Sequence, residues 1–226
     1  MAPSDLIADP FADARNHMVD SQVRPNKVTD PRITGAMRRL QRERFLPPAL
    51  RHLAYVDEDV PLGNGRVLLE PMVLARLIQL AAPMSGERAL VVAACLGYGA
   101  AVLAACGPRV TALEEDPGLL VLARGTLSAM APEITLVAGP LAAGWPSGAP
   151  YDVILIEGTV HEIPRAISAQ LRVDGGRLVT VLRENGGRTS AAVLAEATPA
   201  GLRAQPMFDC ATPDLPSLRP APVFEF

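Results

Sequence analysis

The feature that most limits the folds open to this chain is the regular alternation of short apolar runs and helical segments from residue 88 to residue 182. Strands are predicted at residues 88–93, 110–113, 134–137, 153–156 and 177–182, and helices at residues 97–106, 117–130 and 164–171. Strands that alternate with helices are typical of a parallel sheet wound on both faces. Two later runs, at residues 191–195 and 202–208, predict antiparallel strands. The sequence therefore predicts an α/β, Rossmann-like fold.

The chain before residue 75 has a different pattern. Residues 11–40 have helical spacing, with Asp30 and Pro31 as a helix start signal. Residues 55–70 indicate loops with short strands, and residues 71–82 form an apolar segment that begins with proline and predicts a helix. We therefore expect an N-terminal helical cap with a loop in residues 1–75 and a Rossmann-like core in residues 76–226, together forming one compact unit.

Charge and cysteine content restrict the partners and the compartment. A net charge of −3 provides no broad basic surface, which makes nucleic acid and acidic membranes poor partners. Cys95, Cys106 and Cys210 have no C-x-x-C spacing, which argues against a metal site and against a disulfide framework. Residues 1–10 lack the basic region of a signal peptide. These features predict a cytoplasmic protein without a bound metal.

Ligands of open α/β sheets bind outside the carboxyl ends of the strands, near the point where the strand order reverses. The first predicted core strand continues into VAACLGYG, residues 92–99. A nucleotide-binding turn usually needs glycine so that the backbone can approach the cofactor. Gly97 and Gly99 meet that need, whereas Ala93 and Cys95 fill the earlier positions. The pattern is compatible with a cofactor turn and with a plain strand-to-helix turn that packs small residues.

Two carboxylates lie at predicted strand ends. Glu114 directly follows the second core strand, where a carboxylate can accept both ribose hydroxyls of an adenosine. The alternative for this region is a solvated acidic cluster in which Asp116 caps the next helix. Glu157 follows the fourth core strand and precedes Gly158. It either points into the cleft, toward a cofactor or a substrate, or faces water at the rim.

Longer stretches carry a family resemblance. Residues 65–75 read GRVLLEPMVLA, residues 89–104 read ALVVAACLGYGAAVLA, and residues 151–182 read YDVILIEGTVHEIPRAISAQLRVDGGRLVTVL. Together with residues 18–50, they resemble the helical cap, substrate loop, cofactor turn and late core of the protein-L-isoaspartate O-methyltransferase family. The last stretch is the most specific, because it follows the family's Y-D-x-I, I-P, Q-L and G-G-R-L-V pattern without a gap.

The resemblance implies a class I S-adenosylmethionine-dependent methyltransferase fold with an N-terminal helical cap and late antiparallel strands. It also implies methyl transfer from S-adenosylmethionine to a carboxylate of a protein or a small molecule, as in protein repair. The implied cofactor residues are Ala93, Cys95, Gly97, Tyr98, Glu114 and Glu157. The implied substrate residues are Val67, Leu69 and Glu70. Catalysis would consist mainly of positioning the carboxylate in line with the reactive methyl group.

The chain departs from the family pattern at positions that should carry chemistry. Leu69 replaces the serine that is thought to contact the isoaspartyl carboxylate, and Val67 replaces a threonine. Ala93 and Cys95 replace two glycines of the cofactor turn, and Pro140 replaces the aspartate that would meet the adenine. The apolar substrate loop predicts poor isoaspartyl repair, because the substrate carboxylate would lose its hydrogen-bond partners.

Two functions therefore stay open at this point. One is an active O-methyltransferase, and the other is a catalytically lapsed methyltransferase-fold protein that acts as a binding or scaffolding module. A dinucleotide-dependent oxidoreductase would need G-x-G-x-x-G after the first core strand, which residues 93–95 do not supply.

Overall fold

The computed structural model of the protein describes residues 9–183 and 189–219. Its centre is a seven-stranded sheet. The strands, including a separate hairpin β1–β2, are β1 (Val60–Gly63), β2 (Arg66–Leu68), β3 (Arg88–Val92), β4 (Arg109–Glu114), β5 (Thr135–Ala138), β6 (Val153–Val160), β7 (Arg177–Leu182), β8 (Ala191–Thr198) and β9 (Gly201–Asp209). The order in the large sheet is β5-β4-β3-β6-β7-β8-β9. The strands from β5 to β7 are parallel, and β8 is antiparallel to both of its neighbours. The predicted α/β fold with late antiparallel strands is confirmed.

Six α-helices connect and cover these strands within the described residues. They are α1 (Ala12–Met18), α2 (Pro31–Arg39), α3 (Pro71–Ala81), α4 (Tyr98–Ala104), α5 (Pro117–Met130) and α6 (Arg165–Ser168). The start of α2 follows the predicted signal, since the Asp30 side chain accepts a hydrogen bond from Arg32 N. Asp116 caps α5 in the same way, accepting from the backbone N–H groups of Gly118 and Leu119.

Three predicted elements differ from the structure. The helix expected over residues 11–40 is interrupted, because a π-helical turn and a 3₁₀ turn follow α1, and Lys27 then adopts a left-handed backbone with φ = 65°. The helix expected at residues 164–171 is reduced to the four residues of α6. The strand expected at residues 153–156 runs on to Val160. Its pairing with β7 has a register shift between Leu155 and Thr159 and resumes at Thr159.

Side chains from successive strand positions supply the cores on the two faces of the sheet. In β3, Val91 belongs to a large buried cluster that also contains Met37 of α2 and Leu74 of α3. Val92 belongs to a second cluster on the opposite face. Residue 75 lies inside α3. The first cluster contains residues of α2, before the proposed division, and of α4, after it. The division of the chain at residue 75 stays a prediction.

A C-terminal segment, residues 212–219, lies beside the carboxyl end of β6. Thr159 N donates to Pro213 O at 3.0 Å, and Leu215 N donates to Thr159 O at 2.9 Å. The segment also contacts the β1–β2 hairpin, since a Cβ added to Gly65 would lie 2.5 Å from Pro216 Cγ. The hairpin and this segment together therefore enclose the carboxyl edge of the sheet.

No helix in residues 9–183 and 189–219 combines the length and the apolar character needed to cross a membrane.

Candidate functional site

The turn after β3 keeps a glycine-type backbone without all of the glycines. The φ angles are 67° at Ala93, 51° at Cys95 and 92° at Gly97. A left-handed backbone costs a residue with a Cβ roughly 1–2 kcal/mol. Ala93 and Cys95 are 0% and 2% exposed, so the turn holds this conformation inside a packed core. The structure thus preserves the path of the turn and stores strain at two positions.

Glu114 ends β4 and is 0% exposed. Its Oε1 accepts hydrogen bonds from the backbone N–H groups of Glu115 at 2.9 Å and Asp116 at 3.0 Å. Its Oε2 accepts from Cys95 N at 2.8 Å, which ties β4 to the turn after β3. A solvated acidic cluster is therefore wrong for Glu114, whereas the helix cap at Asp116 is confirmed.

The strongest contact of Glu114 is with Arg66 of β2. Arg66 Nη1 lies 3.0 Å from Glu114 Oε1, and Arg66 Nη2 lies 2.7 Å from Oε2, which makes the pair bidentate. The same Nη2 lies 3.5 Å from Cys95 Sγ. The Arg66 side chain is only 4% exposed. Since isolated buried charges are costly, Arg66 and Glu114 stabilise each other in a site from which water is largely excluded.

Glu157 lies inside β6 and is 2% exposed, so the predicted position after the strand and the water-facing rim are both wrong. Burial raises the pKa of Glu157 to about 8, and the positive charge of Arg66 opposes that effect. Its Oε1 has no hydrogen-bond partner among the described protein atoms. A Cβ at position 99 would collide with this oxygen, so Gly99 is needed for the carboxyl group to pack against α4.

Tyr98 turns its ring toward the N-terminal part of the chain. The ring centroid lies 5.3 Å from that of Phe45, and the Arg42 guanidinium carbon lies 4.8 Å above the ring. Arg42 is 0% exposed and donates to Ala54 O and Leu69 O, each at 2.7 Å. The side-chain contacts of Tyr98 therefore join the cap to the core, and its predicted cofactor contact stays a prediction.

The predicted substrate loop is mostly buried. Val67 belongs to β2, and the exposed fractions of Val67 and Leu69 are 6% and 0%. Glu70 alone among the three predicted residues is partly exposed. Burial, and then the charges of nearby acidic residues, raise the pKa of Glu70 to about 7. Two buried apolar residues and one partly exposed acid therefore occupy the positions at which the family pattern has a polar substrate loop.

A comparison with protein families decides the assignment. The family model described as protein-L-isoaspartate(D-aspartate) O-methyltransferase matches residues 13–198, which is most of the chain. The chain belongs to this family.

Individual members of the protein-L-isoaspartate O-methyltransferase family agree with the match. A relative of that name from Methylorubrum extorquens (strain PA1) is 40% identical over 178 residues, which are 79% of this chain and 78% of the relative. One from Methanoregula boonei is 36% identical, over 79% of this chain and 81% of the relative.

Solved structures agree in fold. A protein-L-isoaspartate O-methyltransferase structure superposes with a TM-score of 0.77 at 22% identity, over 91% of this chain and 67% of that one. A Plasmodium falciparum protein described by the same activity, in complex with S-adenosyl-L-homocysteine, gives a TM-score of 0.75 at 17% identity, over 90% of this chain and 98% of that one. These likenesses confirm the class I methyltransferase fold predicted from the sequence.

Membership of the isoaspartyl methyltransferase family supports S-adenosylmethionine as the cofactor and O-methylation as the reaction. The relatives give no support to a lapsed binding module. The side chains as they stand nevertheless do not fit the cofactor. Both oxygens of Glu114 already accept hydrogen bonds from protein donors, two of them from the Arg66 guanidinium, which leaves no unoccupied oxygen for ribose hydroxyls.

Sequence reasoning missed Arg66 and Arg42. Both are fully or almost fully buried, and a buried guanidinium needs acceptors that are equally buried. Arg66 precedes the apolar residues 67–69, which was a usable signal, because an arginine at the start of a buried run must have a partner. Glu114 is the acid already predicted to lie at a strand end. Nothing comparable in the sequence indicates Arg42, whose acceptors are backbone carbonyls.

Proposed function

We propose that this chain is an S-adenosylmethionine-dependent O-methyltransferase that methylates a carboxyl group of a protein, with isoaspartyl residues as the substrate. The observation that carries the proposal is the family match across residues 13–198, which the 40%-identical relative supports. The path of the turn after β3 and the carboxylate that ends β4 are consistent with it.

The chain's own residues would act by positioning and by excluding water. On the substrate side, the apolar side chains of Val67 and Leu69 provide no hydrogen bonds for a carboxylate. Glu70 lies among Asp57, Asp59 and Glu58, whose charges contribute to its raised pKa. Because an acidic rim repels an anionic substrate, we expect isoaspartyl methylation to be slow and to weaken as pH rises through about 7, where Glu70 ionises.

The test uses two peptides that differ only in an isoaspartyl or an aspartyl residue. Each is incubated with purified protein and S-adenosylmethionine that carries a labelled methyl group, and base-labile methyl ester is counted. We expect label in the isoaspartyl peptide alone, and none with Glu114→Gln. The matched control is Glu133→Gln, which changes an exposed acid just before β5, at the opposite end of the sheet from Glu114, and should retain activity. Equal label in both peptides would contradict isoaspartyl specificity, and label in neither would contradict the proposed substrate.

A further inference from the structure

The Arg66–Glu114 pair is buried at the place where the sequence predicts that an adenosine binds, because Glu114 is the carboxylate expected to accept its ribose hydroxyls. Oε1 of Glu114 already accepts three hydrogen bonds and Oε2 accepts two, all from protein groups. Three of those five come from the backbone and are fixed by the turn and by the start of α5. The two from Arg66 come from a side chain and can be exchanged. A pair of ribose hydroxyls would supply the same number of donors.

The element that carries Arg66 lies outside the central sheet. Within residues 9–183 and 189–219, the β1–β2 hairpin pairs only with itself and forms no ladder with the large sheet. It is held by Val60, Val67 and Leu68, which are buried in the first core cluster. Pro216 of the C-terminal segment also packs on Gly65, and Cys95 Sγ lies 3.4 Å from Val67 O. A short two-stranded hairpin is marginal without such packing. Displacement of Arg66 therefore does not require any strand of the central sheet to separate.

We propose that Arg66 is a built-in competitor of the cofactor, and that an adenosine can bind Glu114 only after the Arg66 guanidinium has left it. This inference rests on the proposed cofactor use. It assigns Arg66 as the residue that determines how tightly the cleft binds S-adenosylmethionine and its demethylated product. The protein without cofactor keeps Glu114 neutralised by an internal arginine, and cofactor binding exchanges that arginine for hydroxyl donors.

The experiment is calorimetric titration with S-adenosylhomocysteine, which needs no turnover. Arg66→Gln removes the guanidinium and leaves a side chain that cannot form the bidentate pair. We expect Arg66→Gln to bind at least ten-fold more tightly than the wild type. The matched control is Arg109→Gln, because Arg109 is an exposed residue at the opposite end of the strand that Glu114 ends. It should bind as the wild type does.

A second variant keeps the test valid if Arg66→Gln does not fold. Arg66→Lys retains the charge but makes no bidentate contact, and we expect a smaller gain in affinity. If the folded Arg66 variants bind S-adenosylhomocysteine no more tightly than the wild type does, the competition is overturned and cofactor use stays intact. Absence of binding in folded wild type and variants alike would also overturn it, and would in addition remove the cofactor from the proposed function.

Discussion

At the scale of single residues, the turn after β3 holds a backbone conformation that favours glycine at two positions that are not glycine. Ala93 and Cys95 hold the left-handed backbone that glycine adopts without cost, at φ angles of 67° and 51°. Their neighbours compensate, because Ala94 N donates to Leu113 O and Cys95 N donates to Glu114. The surrounding structure therefore fixes a conformation that these two residues do not prefer.

Ala93 and its neighbour Ala94 give a direct measure of that strain. Both are buried alanines, at 0% and 1% exposed, but only Ala93 has a positive φ. Ala94→Gly should lower the free energy of unfolding by about 1–2 kcal/mol, since it loses a buried methyl group and makes the unfolded chain more flexible. Ala93→Gly has the same losses but relieves roughly 1–2 kcal/mol of strain. The free energy of unfolding measured in urea should therefore be close to the wild-type value for Ala93→Gly. Equal decreases in Ala93→Gly and Ala94→Gly would show that Ala93 is not strained.

Glu157 makes stability depend on pH. Its pKa in the folded protein is about 8, against an ordinary value of 4.5. The folded state therefore retains a proton that the unfolded state releases. This contribution to stability is complete below the ordinary pKa and is lost as pH rises through 8, with a slope of at most about 1.4 kcal/mol per pH unit.

Glu157→Gln removes this titration. We expect its free energy of unfolding to fall less steeply between pH 5 and pH 8 than that of the wild type, by up to about 1.4 kcal/mol per pH unit. Urea titrations at three pH values measure the slopes. Glu133→Gln, at an exposed acid, should keep the wild-type slope. Parallel profiles for Glu157→Gln and the wild type would show that Glu157 does not hold its proton in the folded state.

At the scale of elements, the hairpin and the C-terminal segment depend on each other. Gly63 and Gly65 flank the hairpin turn with positive φ angles of 93° and 71°. A Cβ at Gly63 would have no atom within 4 Å, whereas one at Gly65 would meet Pro216. The two glycines thus share one backbone requirement, and only Gly65 also has a packing requirement.

Substitution with alanine separates these two requirements. Gly63→Ala should cost roughly 1–2 kcal/mol of unfolding free energy from backbone strain alone. Gly65→Ala should cost about 1–3 kcal/mol more, because the new methyl group forces Pro216 away. Adding Pro216→Ala to Gly65→Ala should recover part of the difference. If the two single variants unfold at the same urea concentration, the segment does not pack on the hairpin as described.

The elements also show which parts of this fold sequence reasoning reaches. The strands β3, β4 and β7 follow from runs of apolar residues, because such runs are a local property. The extension of β6 through Glu157 did not follow, since it depends on a register shift against β7 that no local pattern encodes. Glu114 was predicted at a strand end, but its partner is 48 residues earlier in the chain. Pairings of that separation are set by topology, and the sequence analysis did not predict a role for Arg66.

At the scale of the whole molecule, the N-terminal cap and the sheet share one buried cluster. Met37 of α2 is 0% exposed in the same cluster as Val91 of β3. Trp145 packs against the cluster on the other face of the sheet. If the chain unfolds as one unit, a substitution that destabilises the cap must also lower the urea midpoint reported by Trp145 fluorescence.

Met37→Ala tests that coupling. The cavity should lower the free energy of unfolding by about 2–5 kcal/mol. Trp145 fluorescence and far-ultraviolet circular dichroism should shift to the same lower urea midpoint. Met84→Ala, at a side chain that is 64% exposed, should leave both midpoints unchanged. A fluorescence midpoint that stays in place while the dichroism midpoint falls would show that cap and core unfold separately, and would support a division near residue 75.

The position of Cys95 has a consequence for sulfur chemistry. Its thiol is 2% exposed beneath the Arg66 guanidinium, and burial raises its pKa to about 12. A neutral, covered thiol reacts slowly with electrophiles and oxidants, because the thiolate is the reactive form. The proposed departure of Arg66 from Glu114 would also remove the guanidinium that lies 3.5 Å from that sulfur. We therefore expect iodoacetamide to label Cys95 faster in Arg66→Gln than in the wild type.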